Sequence, residues 1–124
     1  MGRPIPQPVI SVVADFAAST ETHASLDSLF AYADAPGEPP EGSKHVKALE
    51  WLRRINKESD EPLVLLGRLI ENYMESELPA NPYYEWEKKK VEFVKKMPEL
   101  LGRYGLNYVT GGYVTDGALT CPQD

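Results

Sequence analysis

Cysteine is the scarcest informative residue in this chain of 124 residues: Cys121 stands alone, near the end. One thiol cannot form an internal disulfide, and no metal-binding or nucleophile motif surrounds it, so the expected compartment is the cytoplasm. Histidine is nearly as rare. His23 and His45 each fall at an expected helix start, far apart, and neither has a second ligand at the i, i+4 spacing that zinc sites use. Long apolar runs are missing too: nothing approaches the roughly 18 residues that a membrane span needs. Pro4, Pro6, Pro8 and Asp15 interrupt anything resembling a signal peptide. No Gly-x-Gly-x-x-Gly loop and no Walker-type lysine motif is present. Positive charge is also short. Thirteen Lys and Arg face nineteen Asp and Glu, and the net charge of −6 argues against a generic nucleic-acid binder, whose affinity rests on neutralising phosphates. No cofactor and no metal site is expected.

What remains is a chain of ordinary globular make-up, 42% hydrophobic and 26% charged. Its length suits a single domain, 1–124, able to bury about two thirds of its unfolded surface. The stretch 62–76 organises it. Leu63, Leu66, Ile70 and Tyr73 recur at helical spacing, Leu65, Leu69 and Met74 widen the stripe, and Arg68, Glu71, Asn72 and Glu75 form the wet face. Asp60 is placed to cap this helix and Pro62 suits its first turn. Gly67 lies on the dry side, where a mid-helix glycine costs about 1 kcal/mol relative to alanine. The expected compensation is a second helix packed close against it.

Around that helix the pattern predicts four more. A proline-punctuated arm, 1–8, leads into a helix from about Pro8 to Ser19. A second runs from about His23 to Ala33, after possible caps at Ser19 to Thr22. The Pro/Gly-rich stretch 34–43 is a loop. Ser43 then opens a third helix burying Val46, Leu49, Leu52 and Ile55. Trp51 lies off that line, and Lys44, Lys47, Arg54 and Lys57 form the solvent face. The fifth helix is expected from Pro82, capped by Asn81, with Tyr83, Trp86, Phe93, Val94 and Met97 in the core. Pro98 should end or kink it, and Gly105 should close the following turn. Tyr108-Val-Thr and Tyr113-Val-Thr flank Gly111-Gly112, which reads as a β-hairpin, 106–116, with a primed two-residue turn. Residues 117–124 read as a loose tail. The fold class is therefore mainly α, about five helices around 62–76 with a C-terminal hairpin.

Charge alternates along the chain. Residues 44–57 carry five bases and one acid, and residues 82–104 six bases and four acids, while 1–43 and 58–81 are strongly acidic. Such alternation fits complementary helix faces. The competing reading is a nucleic-acid site built from helices 44–57 and 83–97, with Lys44, Lys47, Arg54, Lys57, Lys88, Lys89 and Lys95 as contacts. Tyr83, Tyr84 and Trp86 beside the lysine run could serve as a stacking platform for single strands, against the simpler reading that they anchor the helix start in the core. Glu71, Glu75 and Glu77 lie near one another and could in principle bind metal or shuttle protons; helical surfaces carry such acids routinely. No catalytic residue is assigned.

Four segments carry a resemblance: His23-Ala-Ser-Leu-Asp-Ser-Leu-Phe, the loop from Ala35 to Lys44, Trp51-Leu-Arg-Arg-Ile-Asn-Lys, and Leu66-Gly-Arg-Leu-Ile-Glu. With Leu101-Gly-Arg-Tyr-Gly-Leu-Asn-Tyr and the Gly-Gly hairpin they resemble the N-terminal module of bacterial abortive-infection-type proteins, over roughly residues 5–117. The resemblance implies a setting in phage defence on mobile elements. It also implies a helical C-terminal domain after the module, whereas here Leu119-Thr-Cys-Pro-Gln-Asp follows, as in a stand-alone or truncated relative. The function expected is a non-catalytic interaction or regulatory module, with a protein partner or a second copy rather than nucleic acid or membrane. A homodimer is expected through the hairpin, with Tyr108, Val109, Tyr113 and Val114 as interface candidates, because a two-stranded hairpin needs cover. With a two-residue turn, Val109 and Val114 would share one side of it.

Overall fold

The computed structural model describes residues 2–116; the expected tail 117–124, including Cys121, lies outside the described residues. Five helices and a hairpin follow one another: α1 Gln7–Thr20, α2 His23–Tyr32, α3 Lys44–Glu58, α4 Pro62–Glu75, α5 Glu85–Gly102, then β1 Leu106–Val109 and β2 Tyr113–Asp116. Among the described residues no helix is long and apolar enough to cross a membrane.

The arm before α1 is docked. Both polar groups of the Asn56 side chain bond the Ile5 backbone, at 2.7 and 2.9 Å, and hold the buried Ile5 side chain in the core. α1 then buries Val9, Ile10, Val13, Ala14, Phe16 and Ala17, and packs chiefly on α3. α2 starts at a reciprocal cap in which Thr22 and Ser25 bond each other's backbone N–H. Its Leu26 and Phe30 reach the core, with Ala33 just beyond the helix end.

α3 keeps its expected start at Ser43, whose side chain accepts from Val46 N–H, but its dry face is turned from the expected one. Ala48, Trp51, Leu52 and Ile55 are buried, at i, i+3, i+4 and i+7, while Val46 is exposed. Trp51 is accordingly a core residue. Its ring stacks on Phe30 at 4.5 Å and its indole N–H donates to the Pro36 carbonyl. The same rotation buries Lys47, expected in solvent, where it meets Asp27 at 2.8 Å.

α4 occupies the predicted stretch and buries Leu65, Leu66, Leu69, Ile70 and Tyr73. Its N-cap residue is Glu61, which makes no side-chain cap bond, so Asp60 does not have the capping role expected of it; Pro62 does sit in the first turn. A second aromatic cluster forms where α1, α4 and α5 meet. Phe16 stacks on Phe93 at 4.3 Å, and Tyr73 meets both rings edge-on.

α5 differs most from expectation. It begins at Glu85, because the Glu87 carboxylate reaches back to the N–H groups of Tyr83 and Tyr84, at 2.9 and 3.0 Å. Tyr83 and Trp86 are exposed, not buried. The helix passes through Pro98 to Gly102, with Met97 and Leu101, on either side of the proline, both buried in the core. Gly105 follows with φ 71°.

The hairpin also departs by one residue. Val109 pairs with Tyr113 and Tyr108 with Val114, so the turn holds three residues, Thr110, Gly111 and Gly112, not two. Directly opposed residues share a face, and one step of register exchanges faces. Leu106, Tyr108 and Val114 therefore look toward α4 and α5, whereas Val109 and Tyr113 look outward.

Gly67 is where the hairpin lands. A Cβ there would stand 2.3 Å from the Gly112 carbonyl oxygen and 3.1 Å from the Val114 nitrogen. The expected close partner is thus the hairpin turn, not a helix. Gly67→Ala is expected to destabilise the fold by about 1–3 kcal/mol through overpacking, outweighing alanine's better helix propensity. Gly102→Ala, with nothing within 4 Å, should be neutral or stabilising by up to about 1 kcal/mol. Urea unfolding of both variants checks the pair, and equal effects would mean that the hairpin does not press on Gly67.

Candidate functional site

The wet face of α4 and the hairpin turn form one hydrogen-bonded unit. Glu75, in the last residue of α4, accepts from the Tyr108 hydroxyl and from Gly111 N–H, the latter at 2.6 Å. These two donors, Tyr108 first, hold the Glu75 carboxyl below the usual carboxylate range. Burial and the neighbouring carboxylate push the Tyr108 phenol upward in turn. One helical turn earlier, Glu71 accepts from the Tyr32 hydroxyl at 2.8 Å, which raises the Tyr32 pKa, and its side chain lies against Gly112. Glu21, at the end of α1, accepts from the Tyr73 hydroxyl at 2.5 Å; burial and then this bond raise the Tyr73 pKa. Three carboxylates are thus each engaged by a tyrosine.

Between α2 and α4 these groups border an open cleft of about 460 Å³, lined by Glu21, Tyr32, Arg68, Glu71, Glu75 and Ser76 among others. The Ser76 hydroxyl is buried there without a protein partner. Glu77, expected near Glu71 and Glu75, lies past the helix end. Among the described residues no group of three or more His, Cys, Asp and Glu side chains could hold a metal ion. His23 and His45 sit in the first turns of different helices. The cleft's three carboxylates are bonded within the fold, and these bonds tie α1, α2 and the hairpin to α4.

The basic candidates divide into two sets. On α3, Lys44 donates to the Glu21 carbonyl at 2.8 Å, Lys47 is buried against Asp27, and Arg54 donates to the carbonyls of Pro36 and Glu38. Those cations fasten the 34–43 loop and the α1–α2 junction; of the α3 candidates, Lys57 is the exposed one. On α5, Lys88, Lys89 and Lys95 are exposed, and so are Tyr83, Tyr84 and Trp86 at its start. Of the hairpin candidates, Val109 and Tyr113 are 40% and 61% exposed, Tyr108 is half-buried and bonded to Glu75, and Val114 is in the core.

Sequence reasoning did not single out Tyr32 or Glu21 for the cleft. Their partners lie 39 and 52 residues away in the chain, and no local pattern announces such pairs. The exposure of Tyr83, Tyr84 and Trp86 had a visible signal. Three aromatics in four consecutive residues cannot share one helical face, and Glu87 stands three residues after Tyr84, the spacing of a capping box.

The Glu75 anchor has a pH signature. Its pKa is lower in the folded chain than the ordinary 4.5. Its stabilising contribution is therefore fully present above about pH 4.5 and is lost as the pH falls through the depressed folded value. Glu75→Gln should lower stability at neutral pH and flatten the loss as the pH falls below about 4.5, followed by denaturant titration at each pH. Parallel acid limbs for the two proteins would mean that Glu75 is not the anchor.

No family model matches the sequence, and neither does any curated protein or solved structure.

Proposed function

We propose that the chain is a non-catalytic interaction module that pairs with a second copy through the outward face of its hairpin. The observation that carries this reading is the cross-strand pair Val109 and Tyr113, both exposed on a hairpin whose other face is fixed to α4. Exposed apolar side chains on a rigid element lose little conformational entropy on association. Among the described residues the sheet has two strands, so strand edges lie beside the pair, and a two-fold axis would bring two hairpins together edge to edge or face to face. The resemblance to abortive-infection-type modules supports a setting in phage defence on a mobile element, with docking as the contribution. A nucleic-acid role for α3 loses support because Lys44, Lys47 and Arg54 are spent within the fold.

Light scattering at micromolar concentration should give twice the chain's mass. Val109→Lys or Tyr113→Lys should give a monomer with unchanged far-UV circular dichroism, whose unfolding no longer depends on protein concentration. Val114→Lys is unsuited as a probe, since it places a charge in the core and should unfold the protein. A monomeric wild type, or a dimer indifferent to both outward substitutions, would overturn the reading.

A further inference from the structure

Tyr83, Tyr84 and Trp86 are 78%, 58% and 61% exposed, while every phenylalanine, Trp51 and Tyr73 are buried. Three large rings in four residues are a heavy apolar load to leave in water, at roughly 25 cal/mol per Å². They are also ordered. Tyr83 meets Tyr84 edge-on at 5.1 Å, and Tyr84 and Trp86 lie nearly parallel, 8° apart in plane with centroids 6.3 Å apart. The backbone beneath them is pinned by Glu87. A shallow depression of about 540 Å³ runs along the first turns of α5, lined by Pro82, Val91, Lys88, Lys89, Lys95 and Lys96, with Glu85 and Glu92. Glu92 is paired with Lys96 at 3.3 Å. Lys88, Lys89 and Lys95 remain exposed.

We propose that this surface, the start of α5 with its lysine-lined flank, binds single-stranded nucleic acid. Flat exposed rings in series offer stacking faces to successive unpaired bases, and Lys89, three residues after Trp86, with Lys88, four after Tyr84, are the cations within one turn of the rings to meet the phosphates. Stacking does not read base identity, so little sequence preference is expected. A duplex keeps its bases stacked on each other and cannot use the rings. The chain's net charge of −6 makes non-specific phosphate attraction weak, so the rings must supply much of the affinity. The site is remote in sequence from Val109 and Tyr113, and its test does not depend on the oligomeric state.

Titration of the full chain with an oligothymidylate and an oligouridylate of about twenty residues tests the proposal. Trp51 is buried and stacked on Phe30, so quenching of tryptophan emission reports Trp86. Quenching should saturate, and binding by anisotropy should weaken with added salt. Trp86→Ala and Tyr84→Ala should each weaken it roughly tenfold, with thermal unfolding unchanged because both side chains are exposed. Lys88→Glu with Lys89→Glu should weaken it further. Preference for one oligonucleotide over the other tells RNA from DNA as the natural form, and either supports the site. Three results would overturn it: no quenching at about 100 µM oligonucleotide in low salt, equal binding of a duplex, or equal binding of polyglutamate, which would mark an acidic-protein surface instead.

Discussion

The fold turns on a contact between two glycines. The Gly112 carbonyl sits where any side chain at residue 67 would have to be, so the hairpin turn touches the α4 backbone directly. Glu71 and Glu75 stand one and two helical turns along α4 from Gly67 and grip the same turn, through contact with Gly112, the Tyr108 hydroxyl and Gly111 N–H. Gly111 and Gly112 both have positive φ, 105° and 86°, which lets a three-residue connection lie flat on the helix. From that turn follows the register, from the register the facing of every strand residue, and from the facing the exposure of Val109 and Tyr113.

Electrostatics in this protein serve mainly to fasten loops. α3 looks like a cationic face in sequence, yet three of its cations are turned on the protein itself. Arg54 and Trp51 both donate to the Pro36 carbonyl, and Arg54 reaches Glu38 as well. The Pro/Gly-rich loop is thereby held along α3 by two donors that Ala or Leu at those positions would not provide. Lys47 and Asp27 join α3 to α2 in the same way. Removing one member of such a part-buried pair leaves the other charge poorly solvated. The lysines of α5 face outward instead, and the aromatic rings at its start are the large apolar surface that the core does not take up.

Much of the architecture was legible from periodicity. α4 was read at nearly its observed bounds because Leu66, Ile70 and Tyr73 fall on one face and Pro62 marks its start. The hairpin was equally visible from the repeat of Tyr-Val-Thr around two glycines. Its register was not, because a two-residue and a three-residue turn both fit that string; contact of the turn with Gly67 accompanies the longer one. The face of α3 was legible in Leu52 and Ile55, which are buried, and in Leu49, which packs against the core, but not in Val46, which is exposed while Ala48 and Trp51 are buried. Val46, Leu49, Leu52 and Ile55 make as plausible a stripe as Ala48, Trp51, Leu52 and Ile55 until Phe30 and the Pro36 carbonyl claim the tryptophan. The tyrosine–carboxylate pairs were illegible for a plainer reason: each joins residues more than thirty positions apart.

The dependence of the hairpin on α4 is open to direct measurement by native-state hydrogen exchange. If the turn is locked to Gly67, Glu71 and Glu75, the protected amides of β1 and β2 should open together with those of Leu66, Leu69 and Ile70, with the same free energy and the same denaturant dependence. Hairpin amides that exchange through a low-energy local opening, while the α4 amides remain protected to the global limit, would contradict it.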